Sequence, residues 1–131
     1  MSILHELLKN AVELGASDVH LKPNQEPFLR VHSRLSESGF DVVTAENMRA
    51  IVADILPAHL SEGYERTHEA DFSHQEPDVG RFRVNVFVSQ GLPAVAMRHV
   101  KTAIPTFAQL RLPEKLAELA HVQRGIVLLS G

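Results

Sequence analysis

Gly80-Arg81-Phe82-Arg83-Val84-Asn85-Val86-Phe87-Val88 runs into Ser89-Gln90-Gly91-Leu92 and returns as Pro93-Ala94-Val95-Ala96-Met97-Arg98-His99-Val100. The first limb changes character at every second residue. Phe82, Val84, Val86 and Val88 point one way and Arg81, Arg83 and Asn85 the other, the period of a half-buried strand. Residues 89–92 read as a hairpin loop and 93–100 as the returning strand. Direct pairing across that loop sets Val88 opposite Pro93 and Arg83 opposite Arg98. Opposed residues share a face, so Arg81, Arg83 and Arg98 are expected to form one cationic patch. Like charges placed opposite one another destabilise a sheet by roughly a few tenths of a kcal/mol. A phosphate-like anion relieves that repulsion with charge-assisted hydrogen bonds. A one-residue slip of register would separate Arg98 from Arg83. The pattern alone leaves two readings open, solvated arginines or an anion site.

Outward from this hairpin, residues 70–74 read as a further strand, followed by a turn at Glu76-Pro77-Asp78 and Gly80. Ser2 has the position of an N-cap for a first helix carrying Ile3, Leu4, Leu7, Leu8, Ala11, Val12 and Leu14 up to Gly15. Residues 18–21 and 28–32 read as short strands on either side of Pro23-Asn24-Gln25-Glu26-Pro27. A third strand is expected within 34–43, broken at Ser38-Gly39. Thr44 caps a second helix with Met48, Ile51, Val52, Ile55 and Leu56 on one side, closed by Pro57. Residues 58–67 suggest a short polar helix. Beyond the hairpin, 101–105 reads as a linker, Thr106 and Gln109 have capping-box spacing, and a helix follows Pro113. Residues 125–131, an aliphatic run bounded by glycines, have the character of a strand buried on both faces in a parallel sheet.

Composition narrows the class. The 131 residues are 44% hydrophobic and 22% charged with a net charge of −3, an ordinary globular balance. No cysteine is present, which excludes a disulfide scaffold and thiolate metal sites and is compatible with a reducing compartment. The longest aliphatic run covers 126–129, far below the roughly 20 residues that span a bilayer, and no signal peptide is apparent at the start. Residues 1–79 hold 6 Lys+Arg against 14 Asp+Glu, a balance of −8, whereas 80–131 hold 7 against 2, a balance of +5. A basic footprint confined to one stretch does not suggest nucleic-acid binding.

Catalytic motifs are scarce. The eight histidines lack a recurring metal-ligand spacing and read as surface residues, with His68 and His74 on one strand face beside Phe72. Glu69 and Asp71 share a strand face, but no nucleophile accompanies them. Neither a G-x-S-x-G nor a G-x-G-x-x-G motif occurs, and no Gly-Lys-Ser/Thr follows the last strand within the chain.

Ala16-Ser17-Asp18-Val19-His20-Leu21, Arg30-Val31, Glu69-x-Asp71-Phe72-Ser73 and Gly80-Arg81-Phe82-Arg83-Val84-Asn85-Val86-Phe87 occur in this order. Ile104-Pro105-Thr106, Leu112-Pro113-Glu114 and Arg124-Gly125-Ile126-Val127-Leu128 follow them. Together these stretches resemble the N-terminal part of type IV pilus retraction ATPases, the twitching-motility members of the secretion-ATPase superfamily. Where those proteins often carry Asp-Gly after the segment like Arg30-Val31, His32-Ser33 stands here; the 104–106 and 112–114 stretches resemble the accessory motor more than the main one. The resemblance implies an α+β fold: residues 1–100 form a PAS-like antiparallel sheet flanked by helices. Residues 101–124 are then a linker and connecting helix, and 125–131 the first strand of a RecA-like motor domain, cut before its Walker A loop.

It further implies a hexameric, cytoplasmic ATPase at the inner face of the membrane. ATP and Mg²⁺ would be handled by the motor domain, with Arg83 and Arg98, and Arg81 beside them, approaching the ATP phosphates. Implied partners are the protein's own RecA-like domain, neighbouring subunits and an inner-membrane platform protein, with no nucleic acid and no membrane insertion. The chain alone would bind no nucleotide and be inactive. The alternative from a different class is a free-standing PAS-like sensor holding a small ligand in its core.

Overall fold

The computed structural model describes residues 2–131, which divide into two compact units, one up to Lys101 and one over Thr102–Gly131. Strands β5 (Gly80–Ser89) and β6 (Leu92–Val100) form the hairpin, with Val88 opposite Pro93 and Arg83 opposite Arg98. The turn is tighter than the four residues expected. Ser89 pairs Leu92, leaving only Gln90 and Gly91 as loop, both at positive φ (53° and 77°). Two consecutive left-handed residues are what a two-residue hairpin turn compatible with strand twist requires.

Four more strands complete one antiparallel sheet: β1 (Asp18–Leu21), β2 (Phe28–Val31), β3 (Arg34–Glu37) and β4 (Glu69–Glu76). The order is β3-β2-β1-β6-β5-β4. Within the sheet, the first half of the chain therefore joins the second where β1 pairs β6. The third strand ends at Glu37, before Ser38-Gly39, and Val43 returns as an isolated bridge to Gln25. Where relatives of the resemblance carry Asp-Gly, His32 and Ser33 form the β2–β3 turn, and both adopt positive φ (47° and 65°). The turn survives without glycine, at the cost that a Cβ carries in that region.

Helix α1 (Ile3–Glu13) starts at Ser2, whose hydroxyl accepts the His5 N–H at 3.2 Å. It ends in a Schellman motif: Gly15, at φ 71°, donates to Val12 O and Ala16 donates to Ala11 O. Thr44 caps α2 (Ala45–Ile55) by accepting the Asn47 N–H at 3.1 Å. A 3₁₀ turn (Ala58–Leu60) and α3 (Ser61–Thr67) lead into β4, with His68 in the left-handed region as C-cap rather than on the strand. His68 and His74 therefore do not share a strand face. Leu4, Leu7, Leu8 and Ala11 of α1 and Met48, Val52 and Ile55 of α2 pack on Val19, Leu29, Phe82, Val84, Val86, Val95 and Met97 of the sheet. One sheet face thus builds the core, and the other carries the polar half of the alternation.

In the second unit the Thr106–Gln109 capping box forms, with Thr106 N donating to Gln109 Oε1 (2.9 Å) and Gln109 N to Thr106 Oγ1 (3.2 Å). Only a turn follows, because Arg111 adopts φ 55° and Pro113 comes next. A short helix α4 spans Lys115–Leu119. The strand expected at 125–131 is not formed: among the described residues nothing pairs with it, and Ile126, Leu128 and Leu129 are at least 84% exposed. A strand of that apolar character needs ladder partners on both sides.

Two outcomes are expected. Ser33→Gly relieves a left-handed Cβ and is expected to stabilise the first unit by about 0.5–1 kcal/mol in urea unfolding, after the larger unfolded-state entropy of glycine is subtracted. Hydrogen exchange in the monomer is expected to show residues 126–129 unprotected and 82–88 strongly protected; equal protection would place 125–131 in the folded core.

Candidate functional site

Cross-strand register assembles a charged row on the open face of the sheet. Arg30 of β2 stands opposite Asp18 of β1, Asp18 opposite Arg98 of β6, Arg98 opposite Arg83 of β5, and Arg83 opposite Ser73 of β4. A second row runs Phe28, His20, Ala96, Asn85, Asp71. Each member alternates with a core residue, so the apolar period that builds the core also fixes these side chains outward.

The cationic patch is not bare. Asp18 is 8% exposed and accepts Arg98 Nε–H at 2.8 Å and the Ser17 hydroxyl at 2.7 Å, with Arg30 Nε 3.6 Å away. Burial by itself raises the Asp18 pKa, but hydrogen bonds from Ser17 and Arg98 and the charge of Arg98 outweigh it and hold the carboxyl below its ordinary value. Asp71 lies 3.8 Å from Arg83 Nε, and Asn85 Nδ2 donates to both Asp71 and Glu69 at 3.3 and 3.2 Å. The Arg83–Asp71 pair is exposed and contributes little stability. The repulsion between Arg83 and Arg98 is thus balanced within the domain by two carboxylates. Because Asp18 takes the Nε edge of Arg98, the terminal nitrogens of that guanidinium stay available to an anion, and the side chain is 72% exposed.

Asp18, His20, Arg83, Asn85, Ala96 and Arg98, with Asp71 at the side, line a depression of about 280 Å³. Of the three arginines expected, the structure brings Arg83 and Arg98 together here. Arg81 lies on the same face one row further along, between Gln75 and Val100, exposed, outside the depression and without an ion pair among the described residues. Arg30, Asp18 and His20 join the site although their chemistry was not singled out in the sequence. The alternation Asp18-Val19-His20-Leu21 was the available signal.

The histidines are not simply surface residues. Glu76 is 8% exposed and sits between His5 Nδ1 (2.7 Å) and His74 Nε2 (2.8 Å), tying the first turn of α1 to the end of β4. His74 and Glu76 follow Ala70 and Phe72 on the core face, and His99 lies against Phe82 in a tilted arrangement with ring centroids 5.2 Å apart. Burial raises the Glu76 pKa, but the bonds from His74 and His5 prevail and lower it. Gly80, at φ 147°, leaves room for that packing: a Cβ there would lie 3.0 Å from His99 Nε2. Among the described residues, no group of three or more His, Asp or Glu is arranged to hold a metal ion, and no helix is long and apolar enough to cross a membrane.

No family model matches the chain. It is 31% identical over 126 residues to the type IV pilus ATPase PilU of Pseudomonas aeruginosa, covering 96% of this chain and 33% of that protein. It is 30% identical to the type IV pilus retraction ATPase PilT of the same organism, covering 96% and 37%. The crystal structure of the pilus retraction motor PilT with bound ADP superposes with a TM-score of 0.78 at 32% identity, over 93% of this chain and 36% of that one. The chain therefore spans about a third of the length of the relatives it matches.

The site predicts an acid-sensitive domain. Asp18 and Glu76 have folded pKa values below their ordinary 3.8 and 4.5, so the stability they supply is full above those values and is lost as pH falls through the lower folded ones. Burial also lowers His20 from 6.5, so a further contribution is full above 6.5 and is lost as pH falls through its folded value. Urea midpoints measured from pH 7.5 down to pH 3 are expected to decline in two stages, with His20→Gln removing the first and Asp18→Asn flattening the second.

Proposed function

We propose that this chain, which belongs with the type IV pilus retraction ATPases as their N-terminal domain, is the regulatory and interface domain of a hexameric motor that powers pilus retraction in twitching motility. The observation that carries the reading is the direct opposition of Arg83 and Arg98 on an otherwise helix-free sheet face, with Arg98 fixed by Asp18 so that its outer nitrogens face away from the domain. Phosphate oxygens of ATP, held with Mg²⁺ on a RecA-like domain, fit that pair: guanidinium groups on a rigid sheet bind and orient such oxygens without having to reorganise. When bound, ATP supplies the phosphoryl transfer that drives the motor. What the residues of this chain do is hold and sense the terminal phosphates. Arg81, one row away, adds positive potential at the rim.

In this reading the first unit is PAS-like, residues 101–124 connect it to the motor domain, and 125–131 become the first motor-domain strand once partner strands exist. The contrast between the acidic first part and the basic second part favours head-to-tail contact with neighbouring subunits. Contact with the inner membrane would run through a platform protein, with the motor on the cytoplasmic side. The sensor alternative requires space between sheet and helices. Leu7, Leu8, Met48, Phe82 and Met97 fill that region, each at most 1% exposed, which supports the motor reading.

In the longer protein, Arg83→Ala and Arg98→Ala are each expected to lower the steady-state ATPase rate at least about tenfold, because charge beside a transferring phosphoryl group acts on rate. The unfolding midpoint of this domain is expected to stay unchanged in Arg83→Ala, whose ion pair is exposed, and to fall in Arg98→Ala, which takes a hydrogen-bond partner from the buried Asp18. Wild-type turnover by both variants in assembled hexamers would refute the phosphate role. The 131-residue chain itself is expected to show no ATP turnover above buffer.

A further inference from the structure

Resting on the head-to-tail reading above, we propose that the groove between α1 and α2 receives a second copy of this chain, which presents Arg81, Val100 and Lys101 to it. The groove has a volume of about 490 Å³, with Ile3, Leu4, Ala50 and Ile51 in its lining and Glu46 and Asp54 as its charged members. A second depression of about 290 Å³ adjoins it, sharing Ile3 and Asn47 and adding Phe40 and Val42 with Glu6 and Asp41. Ile3 is 52% and Val42 54% exposed. No Lys, Arg or His lines either depression, and none of the four carboxylates has an ion-pair partner among the described residues. Exposed apolar surface rimmed by polar groups marks an interaction site, and a rim of one sign selects a partner that brings cations beside an apolar group.

That combination lies on the reverse of the same domain. Arg81 stands directly opposite Val100 in the β5–β6 register, and Lys101 is next in the chain. Both cations are exposed and without an ion pair among the described residues, and Val100 is 40% exposed. The groove belongs to the helix layer, whereas Arg81 and Val100 lie on the sheet face that carries the charged row. Complementary patches on opposite faces of one domain cannot meet each other. Copies in the same orientation can join back to face, a heterologous contact that repeats as a ring or a filament. A two-fold contact of groove with groove would oppose carboxylates to carboxylates, which disfavours it. The overall balance of −8 in residues 1–79 and +5 in 80–131 has the same sense.

Sedimentation equilibrium of the 131-residue chain tests the contact. Reversible self-association is expected at low salt with a Kd of about 0.1–1 mM, weakened at least about fivefold in roughly 0.5 M NaCl. Glu46→Lys with Asp54→Lys, and separately Arg81→Glu with Lys101→Glu, are each expected to give a monomer. An equimolar mixture of the two double variants is expected to associate again, because each supplies the charge that the other has lost, and this recovery shows that both are folded. A wild-type chain that stays monomeric, or a mixture that does, would overturn the proposal. Association that survives either reversal would run through another surface, such as the exposed 126–129 run, and would also overturn it. A monomeric chain whose Ile3 and Ile51 methyl signals respond to a synthetic amphipathic peptide of leucine and lysine would assign the groove to a foreign helix instead. In the longer protein, hexamers that form equally well with Glu46→Lys and Asp54→Lys would overturn the groove contact and leave the ring standing, whereas no ring in the wild type would overturn the reading beneath it.

Discussion

The register between β5 and β6, pinned by the two-residue Gln90-Gly91 turn, is the constraint on which both faces of this domain depend. Phe82, Val84 and Val86 reach the core only if Arg83 and Asn85 face outward, because successive strand side chains alternate. A slip of one residue in β6 would turn Met97 and Val95 to solvent and Arg98 toward the helices. Each buried side chain of that size is worth roughly 1.5–3 kcal/mol, so the core enforces the register far more strongly than the repulsion between Arg83 and Arg98 opposes it. The charged row is held in place by hydrophobic burial on the reverse side of the same strands.

Given that register, Asp18 determines what the arginines can do. It sits between Arg98 and Arg30 because β1 pairs β6 on one edge and β2 on the other. Its carboxylate compensates the guanidinium charges and uses the Nε edge of Arg98, which leaves a preorganised fork facing away from the sheet. An arginine already held by a buried carboxylate loses little side-chain freedom when an anion arrives, which favours binding. The same carboxylate ties the site to stability, since protonating Asp18 removes a partner from Arg98 as well as a hydrogen bond from the fold.

The two units differ in how they obtain their order. The first has a core closed by helices on one face of a six-stranded sheet. The second has local hydrogen bonds, a capping box and a single short helix, with no buried residue among those described. Local signals suffice for turns, but a strand over 125–131 needs neighbours to satisfy its backbone.

Much of the fold was legible in the sequence, because the decisive signals are local or periodic. The alternation in 81–88, the caps at Ser2 and Thr44, the turn at Glu76-Pro77-Asp78 and the pairing of Arg83 with Arg98 follow from residue spacing and turn chemistry alone. The resemblance of ordered motifs pointed to the retraction-ATPase family for the same reason. Tertiary structure decided what spacing cannot express. Strand order brought Asp18 beside Arg98 across about 80 residues of chain, with Arg30 on the far side of Asp18, and helix packing brought His5 onto Glu76. It also placed Arg81 one row beyond the opposed pair, outside the depression, and left His20 Nε2 without a partner. Local sequence fixes which way a side chain points along its own strand, whereas its neighbours on the next strand are set by the burial of the whole core.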